Sequence, residues 1–162
     1  MRRKQKGATL VELIITIVII SIAIAGVVGA FALISGRSAD PLNETRAVAL
    51  AQLYIDEILS KKYDEQTPQG GVPRYSGGCN IGSDGETRAA FDDVDDYEGL
   101  MDKPPASALG AITGYSGFSV DVSVSCAGGE VGLPASQAKR IDVLISAPDN
   151  RSFLFSAYRA NF

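Results

Sequence analysis

The chain of 162 residues contains no histidine and no tryptophan, and it has only two cysteines. The absence of histidine removes the commonest catalytic acid–base group. The sequence also lacks the Gly-x-Ser-x-Gly, Walker A and Rossmann glycine patterns. Serine, lysine and acidic side chains are present, but their spacing does not indicate a substrate cleft. We therefore predict that the chain is not an enzyme.

Charge is missing from a long stretch near the N-terminus. No charged residue occurs between Glu12 and Arg37. The uncharged run 13–36 exceeds the ~20 apolar residues that a helix needs to cross a bilayer. A charged side chain within such a helix costs about 2.5–3.5 kcal/mol on insertion scales. Glu12 is therefore a functional candidate that needs a partner.

A basic segment and a Gly-Ala junction precede this run. Four cations are grouped before the junction: Arg2, Arg3, Lys4 and Lys6. Cations on one flank of a span favour the cytoplasmic side, so we expect a cytoplasmic N-terminus and an exported C-terminal part. The junction itself is Gly7-Ala8, four residues before Glu12.

The segment from Gly7 to Ile14 resembles the prepilin motif of type IV pilins and type II secretion pseudopilins. The resemblance implies that a prepilin peptidase cuts after Gly7 and methylates the new amine of Ala8. It also implies that Glu12 pairs with the amine of a neighbouring subunit and guides docking into a helical filament. Ala8 stands where the family usually has phenylalanine.

Three other interpretations of the N-terminus are open. A secretory signal peptide could be cut at Ala30-Phe31-Ala32, although its apolar region of about 20 residues would exceed the usual ~7–15. A plain single-span anchor explains the span and its basic flank but not Gly7 or Glu12. A twin-arginine signal is disfavoured because the residues after Arg2-Arg3 are not apolar.

The resemblance implies the leader peptide, and composition and periodicity divide the rest of the chain into three segments. We predict a leader peptide at 1–7, a transmembrane or filament-core helix at 8–36, an amphipathic helix at 37–63 and an exported head at 64–162. Removal of the leader leaves 11 basic and 19 acidic residues, a net charge of −8 on 155 residues. This acidity disfavours nucleic acid as a partner.

Hydrophobic periodicity predicts an α+β head. Asp40-Pro41 suits a helix start, and apolar positions recur at helical spacing to about Lys62: Val48, Ala51, Ile55, Ile58 and Leu59. Alternating residues predict three antiparallel strands, at 118–126, 141–146 and 153–158. We expect a sheet of three or more strands packed on the helix, the architecture that the pilin resemblance also implies. Glycine-rich and proline-rich stretches at 66–88 and 103–117 predict loops.

The two cysteines, Cys79 and Cys126, lie in the predicted exported region, where disulfides persist. We expect them to pair. The cross-link would close a loop, and in the chain-entropy model it would stabilise the folded state by roughly 4 kcal/mol.

The segment 91–99 concentrates negative charge. Five carboxylates occur within seven residues: Asp92, Asp93, Asp95, Asp96 and Glu98. Such groups repel one another unless water surrounds them or a cation is shared. We consider a solvated acidic loop, a structural calcium site with these five ligands, and a contact surface for a basic partner. The spacing does not match an EF-hand.

Two stretches suggest a branch of the family. Residues 51–59 and 91–99 are similar to D-type minor pilins of the mannose-sensitive haemagglutinin pilus. This resemblance implies prepilin peptidase and other pilins as partners, a single-pass inner-membrane precursor with a periplasmic head, and an extracellular pilus after assembly. A pseudopilin of type II secretion and a non-polymerising periplasmic binding module are the alternatives.

Overall fold

The computed structural model describes residues 7, 9–37, 39–68, 70–82 and 84–162. The chain divides into two compact units, Met1–Leu42 and Asn43–Phe162. The first contains one long apolar helix, and the second contains a helix packed on an antiparallel sheet. The predicted α+β class is confirmed.

The first unit is dominated by helix α1, Leu10–Arg37. The Thr9 hydroxyl accepts a hydrogen bond from the Glu12 amide at 3.3 Å, which satisfies one of the free donors of the first turn. By length and composition the stretch Leu10–Ser35 could cross a membrane, and none of it is buried within the protein. The predicted long apolar helix is therefore present.

Helix α2, Ala39–Leu59, supplies one layer of the head. Its buried side chains recur every three or four residues: Ala47, Leu50, Ala51, Tyr54 and Ile58. The predicted apolar face of α2 is partly wrong, because Val48, which the spacing places on it, is 43% exposed. The predicted end near Lys62 is also wrong. The Lys62 backbone bonds instead to Asp92 and Val94, and this pairing draws the chain out of the helix.

Six strands follow. They are β1 Met101–Asp102, β2 Ala106–Ser107, β3 Gly110–Ala111, β4 Ser119–Cys126, β5 Ala138–Ser146 and β6 Ser152–Ala160. The main sheet has the order β1-β4-β5-β6 with antiparallel pairing throughout. The three predicted strands are therefore confirmed as β4, β5 and β6. The stretch 103–117, predicted as loop, contains the small hairpin of β2 and β3.

One face of the sheet packs on α2. The alternation that predicts half-buried strands places the branched residues of β4 and β5 on this face, where they are almost fully buried. They form one cluster with the inner face of α2. The strand members of the cluster are Val120, Val122, Val124, Ile141, Val143 and Ile145.

The loop before the sheet is held at two points. Cys79 and Cys126 form a disulfide, as predicted. The side chain of Asn161 accepts a hydrogen bond from the Tyr75 amide at 3.1 Å and donates one to the Tyr75 carbonyl at 2.8 Å. Within 66–88 the described residues form no helix or strand.

Candidate functional site

Glu12 lies in the first turn of α1, where a carboxylate faces the positive end of the helix dipole. Its backbone carbonyl accepts a hydrogen bond from the Thr16 hydroxyl at 2.6 Å. The side chain is exposed, and no residue that the structure describes pairs with its carboxylate. Its surroundings on the helix are largely apolar, with Leu13 and Ile17 beside it. In a membrane, this carboxylate would need a partner.

The predicted processing site is described in part. Gly7 is exposed, and nothing lies within 4 Å of the position that a Cβ would occupy. Ala8 lies outside the described residues, as do the four cations before the junction. Cleavage after Gly7 and methylation of Ala8 stay predictions.

The acidic segment is not the solvated loop that charge repulsion suggested. Asp93, Asp95 and Asp96 are only 3%, 7% and 5% exposed. A short 3-10 helix, Asp95–Tyr97, contains two of them. Burial of ionised carboxylates is costly unless each has a charged or hydrogen-bonding partner, and the structure supplies both kinds.

The charged partner is Lys139, which is completely buried. Its Nζ forms an ion pair with Asp95 and donates a hydrogen bond to the Tyr63 carbonyl at 2.7 Å. The same nitrogen lies 3.9 Å from Asp64 Oδ2 and 4.7 Å from the centre of the Tyr63 ring. The cation that these carboxylates need is therefore a lysine of the same chain.

Two aspartates bind the backbone of their own segment. Asp96 Oδ2 accepts hydrogen bonds from the amides of Asp92 and Asp93, at 3.0 and 3.2 Å. Asp93 Oδ1 accepts from the amides of Asp95 and Asp96, at 3.0 and 3.2 Å. Burial, and then the negative charge of Asp95, raise the pKa of Asp93 to about 7.

The remaining predicted ligands point elsewhere. Asp92 Oδ2 lies 2.7 Å from Lys62 Nζ, and this partner lowers the pKa of Asp92. The Glu98 carboxylate accepts a hydrogen bond from the Val124 amide. The five carboxylates proposed for calcium thus do not meet at one point. In the described part of the chain, one set of three acidic side chains has carboxylate oxygens that lie within 4.8 Å of one another. These residues are Glu65, Asp92 and Asp93.

Calcium takes six to eight oxygen ligands. Asp95, Asp96 and Glu98 already bind protein groups, and Lys62 already compensates the charge of Asp92. This arrangement does not fit the five-ligand calcium site as predicted. Calcium binding by the acidic segment stays a prediction.

An aromatic cluster fixes the acidic segment to α2. The Arg88 guanidinium lies over the Tyr97 ring at 4.7 Å, and its Nη2 pairs with Glu57 at 3.3 Å. The Tyr97 hydroxyl donates to Glu57 at 2.9 Å. Burial, followed by the hydrogen bond to Glu57, raises the pKa of Tyr97. These contacts immobilise side chains and do not create a reactive group.

Sequence reasoning missed Lys139 and Arg88. Lys139 shares the inward parity of Ile141, Val143 and Ile145 on β5, so extension of the alternation by one step would have marked it as buried. Arg88 follows a glycine-rich loop and carries no such pattern.

Comparison with known proteins bears on the N-terminus. Residues 2–28 match the family model described as the prokaryotic N-terminal methylation motif. The match includes Gly7, Ala8 and Glu12. It supports the interpretation of the chain as a subunit of the type IV pilin and pseudopilin superfamily. Proteins with this motif are structural subunits, processed by prepilin peptidase and assembled with other pilins. No curated protein and no solved structure matches the chain.

Proposed function

We propose that the chain is a minor pilin-like subunit of a type IV pilus of the mannose-sensitive haemagglutinin type. In this proposal it is cut after Gly7, methylated on Ala8, and contributes to assembly at the pilus tip and to adhesion. One observation carries the proposal. Glu12 is an exposed carboxylate without a described partner in the first turn of a membrane-length helix, within a prepilin motif.

The mechanism follows from the cost of that carboxylate. An unpaired ion in a low-dielectric medium is strongly disfavoured, whereas a pair of opposite ions is tolerated. The methylated amine of Ala8 in an adjacent subunit would supply the opposite charge. Docking of one helix beside another would then relieve the cost at both sites. The gain from pairing the two charges favours the one axial register of adjacent helices in which the charges meet. Apolar contacts alone would not distinguish this register from others.

The choice of branch rests on the resemblance of two stretches, and these stretches pack together in the head. The two stretches that resemble D-type minor pilins, 51–59 and 91–99, are in contact. The Tyr97 hydroxyl bonds to Glu57, and Phe91, Val94 and Tyr97 belong to the same core cluster as Tyr54 and Ile58. The resemblance therefore covers one packed unit of the head. The outer surface of that unit is where a pilus-specific contact would lie.

Intact-mass and N-terminal analysis of the membrane-extracted protein tests the proposal, in cells with and without prepilin peptidase. A chain that begins at methylated Ala8 only when the peptidase is present supports a pilin or pseudopilin. Retention of Met1 or Arg2 in both strains would instead favour a plain anchor and the binding-module alternative. A chain beginning at Leu33 would indicate a cleaved signal peptide.

A pseudopilin of type II secretion is the second candidate, because the same motif and apolar helix serve both machines. Deletion of the gene separates the two. Loss of pili with normal secretion of an exoprotein supports the pilus assignment. Loss of secretion with normal pili would assign the chain to the secretion system.

A further inference from the structure

The two edges of the main sheet differ in how their backbone groups are used. At the β4 edge, β1 pairs with Val120 and Asp121. The Val122 amide then donates to the Leu100 carbonyl at 2.9 Å, and the Gly99 amide donates to the Val122 carbonyl at 3.1 Å. The next free amide, that of Val124, is bound by the Glu98 carboxylate. The segment before the sheet thus covers this edge.

The opposite edge is strand β6, and its backbone parity can be derived. The Ala147 amide donates to the Arg151 carbonyl, and the Asn161 amide donates to the Gln137 carbonyl. Both bonds lie in the β5–β6 register. Since hydrogen-bonded pairs alternate along an antiparallel ladder, the odd residues of β6 bond to β5. The outward groups belong to the even residues: Ser152, Leu154, Ser156, Tyr158 and Ala160.

This edge has few of the features that normally prevent edge pairing, with Arg159 as its one charged residue. Along its nine residues β6 contains no proline, no lysine and no acid, and its register with β5 is free of bulges. No described residue donates or accepts a hydrogen bond at its outward backbone groups. Leu154 is 63% exposed, and Phe153 and Phe155 are only partly buried against the core. One more strand would pair with the outward backbone groups and place its side chains beside those of β6 on both faces.

We propose that β6 pairs with β6 of a second copy of this chain, antiparallel, with the two-fold axis at Ser156. In this register, outward backbone groups meet outward backbone groups at every even residue. Leu154 lies opposite Tyr158 of the second copy, and Phe155 lies opposite Ala157. Arg159, which is the one charge on the strand, lies opposite Phe153. No like charges meet, and an aromatic ring faces the guanidinium.

The strand is therefore complementary to itself, which is what a two-fold interface requires. Apolar residues lie on both faces of the strand. In the proposed register, Leu154 and Phe155 each lie opposite an apolar or aromatic residue of the second copy. A two-fold pair is closed and cannot propagate into a filament. The proposed dimer would therefore form between subunits that are not in a filament. Its test does not depend on the proposed function.

Disulfide trapping of the full-length protein in membranes tests the register. Ser156→Cys places two cysteines at a hydrogen-bonded pair, where the Cα atoms are about 5.5 Å apart, within the range of a disulfide. We expect a cross-linked dimer after mild oxidation. Ser123→Cys is the matched control, because Ser123 is exposed on β4, two strands or about 10 Å from the edge. Equal cross-linking of both variants, or none for Ser156→Cys, would overturn the proposal.

Light scattering of the detergent-solubilised full chain tests the contact itself. Ser156→Pro removes an amide that points away from β5, so the β5–β6 ladder is retained while the edge is blocked. We expect roughly tenfold or more weaker dimerisation, since two hydrogen bonds at the axis are lost. Ser156→Ala loses the same hydroxyl but keeps the amide, so it should dimerise like the unaltered chain.

Leu154→Lys provides a second disruption that leaves the backbone unchanged, and it should also weaken the dimer. In every variant, formation of the Cys79–Cys126 disulfide reports that the head has folded. A dimer unchanged by both Ser156→Pro and Leu154→Lys would place the contact outside β6 and contradict the proposal. A monomer at all concentrations of the unaltered chain would also contradict it.

Discussion

The N-terminal helix and the head differ in whether a carboxylate in apolar surroundings has a charged partner among the described residues. In the head, the buried carboxylate of Asp95 has Lys139 as a partner in the same chain. In α1, Glu12 lies on an apolar helix without a partner among the described residues. The charge of Asp95 is therefore compensated within the head, whereas Glu12 in a membrane would need a partner beyond the residues that the structure describes. In the proposed function, the head supplies a folded domain and the helix supplies the contact for assembly.

The largest effect on the head should come from Lys139→Met. This change leaves Asp95 and Asp64, which are 7% and 4% exposed, beside an apolar side chain. Removal of one partner from a buried ion pair costs on the order of 3–5 kcal/mol. Chemical denaturation of the full-length protein in detergent should show a loss of that size in the free energy of unfolding.

Lys62→Ala is the control for that measurement. Lys62 pairs with Asp92 at 2.7 Å, but both side chains are about one-third to one-half exposed. Such pairs contribute about 0–1 kcal/mol. If the two lysine substitutions destabilised the head equally, burial would not distinguish the Lys139 site, and the comparison above would be lost.

Removal of the disulfide should have the next largest effect. The double substitution Cys79→Ser and Cys126→Ser frees the loop after α2 from the end of β4. We expect a loss of roughly 2–4 kcal/mol, because the unfolded chain regains the freedom that the cross-link removes. The same denaturation measurement checks it. An unchanged midpoint would mean that the Tyr75–Asn161 contact holds the loop without the disulfide.

Asp93→Asn should produce a smaller effect that depends on pH. The folded-state pKa of Asp93 is raised to about 7, so the folded head binds the proton more tightly than the unfolded chain does. This contribution to stability is complete below about pH 4 and is lost as the pH rises to about 7. Asparagine remains uncharged, so the variant should be more stable by on the order of 1–2 kcal/mol at pH 8.

Asp92→Asn is the matched control, with the opposite sign. The neighbouring Lys62 lowers the pKa of Asp92, so its contribution is present above its ordinary pKa and is lost as the pH falls. The variant should be slightly less stable than the unaltered chain at neutral pH. A profile of stability against pH that is identical for both variants would show that Asp93 is not a costly buried acid.

The sequence predicted the parts of the fold that local patterns encode. Alternation located β4, β5 and β6, and helical spacing located α2. The end of α2 was missed because the Lys62 backbone pairs with residues thirty positions later. The burial of the acidic segment was missed for the same reason. Its cation, Lys139, lies 44 residues from Asp95 and is brought there by the sheet.

The N-terminal site was easier to predict, because its residues are adjacent in the sequence. Gly7, Ala8 and Glu12 form a motif that can be read without knowledge of the fold, and the family comparison finds the same motif. The resemblance names the amine of a neighbouring subunit as the partner of Glu12, and this pairing stays a prediction. An isolated chain does not contain that partner if it is the amine of a neighbouring subunit.

Glu12→Ala should have the smallest effect on the head and the largest on assembly, so it tests the central claim most directly. We predict normal membrane insertion, normal cleavage after Gly7 and an unchanged free energy of unfolding of the head. We also predict that the variant is absent from purified pili, measured by immunoblotting against the amount retained in the membrane. Incorporation at the level of the unaltered chain would contradict the claim that Glu12 pairs with a neighbouring subunit.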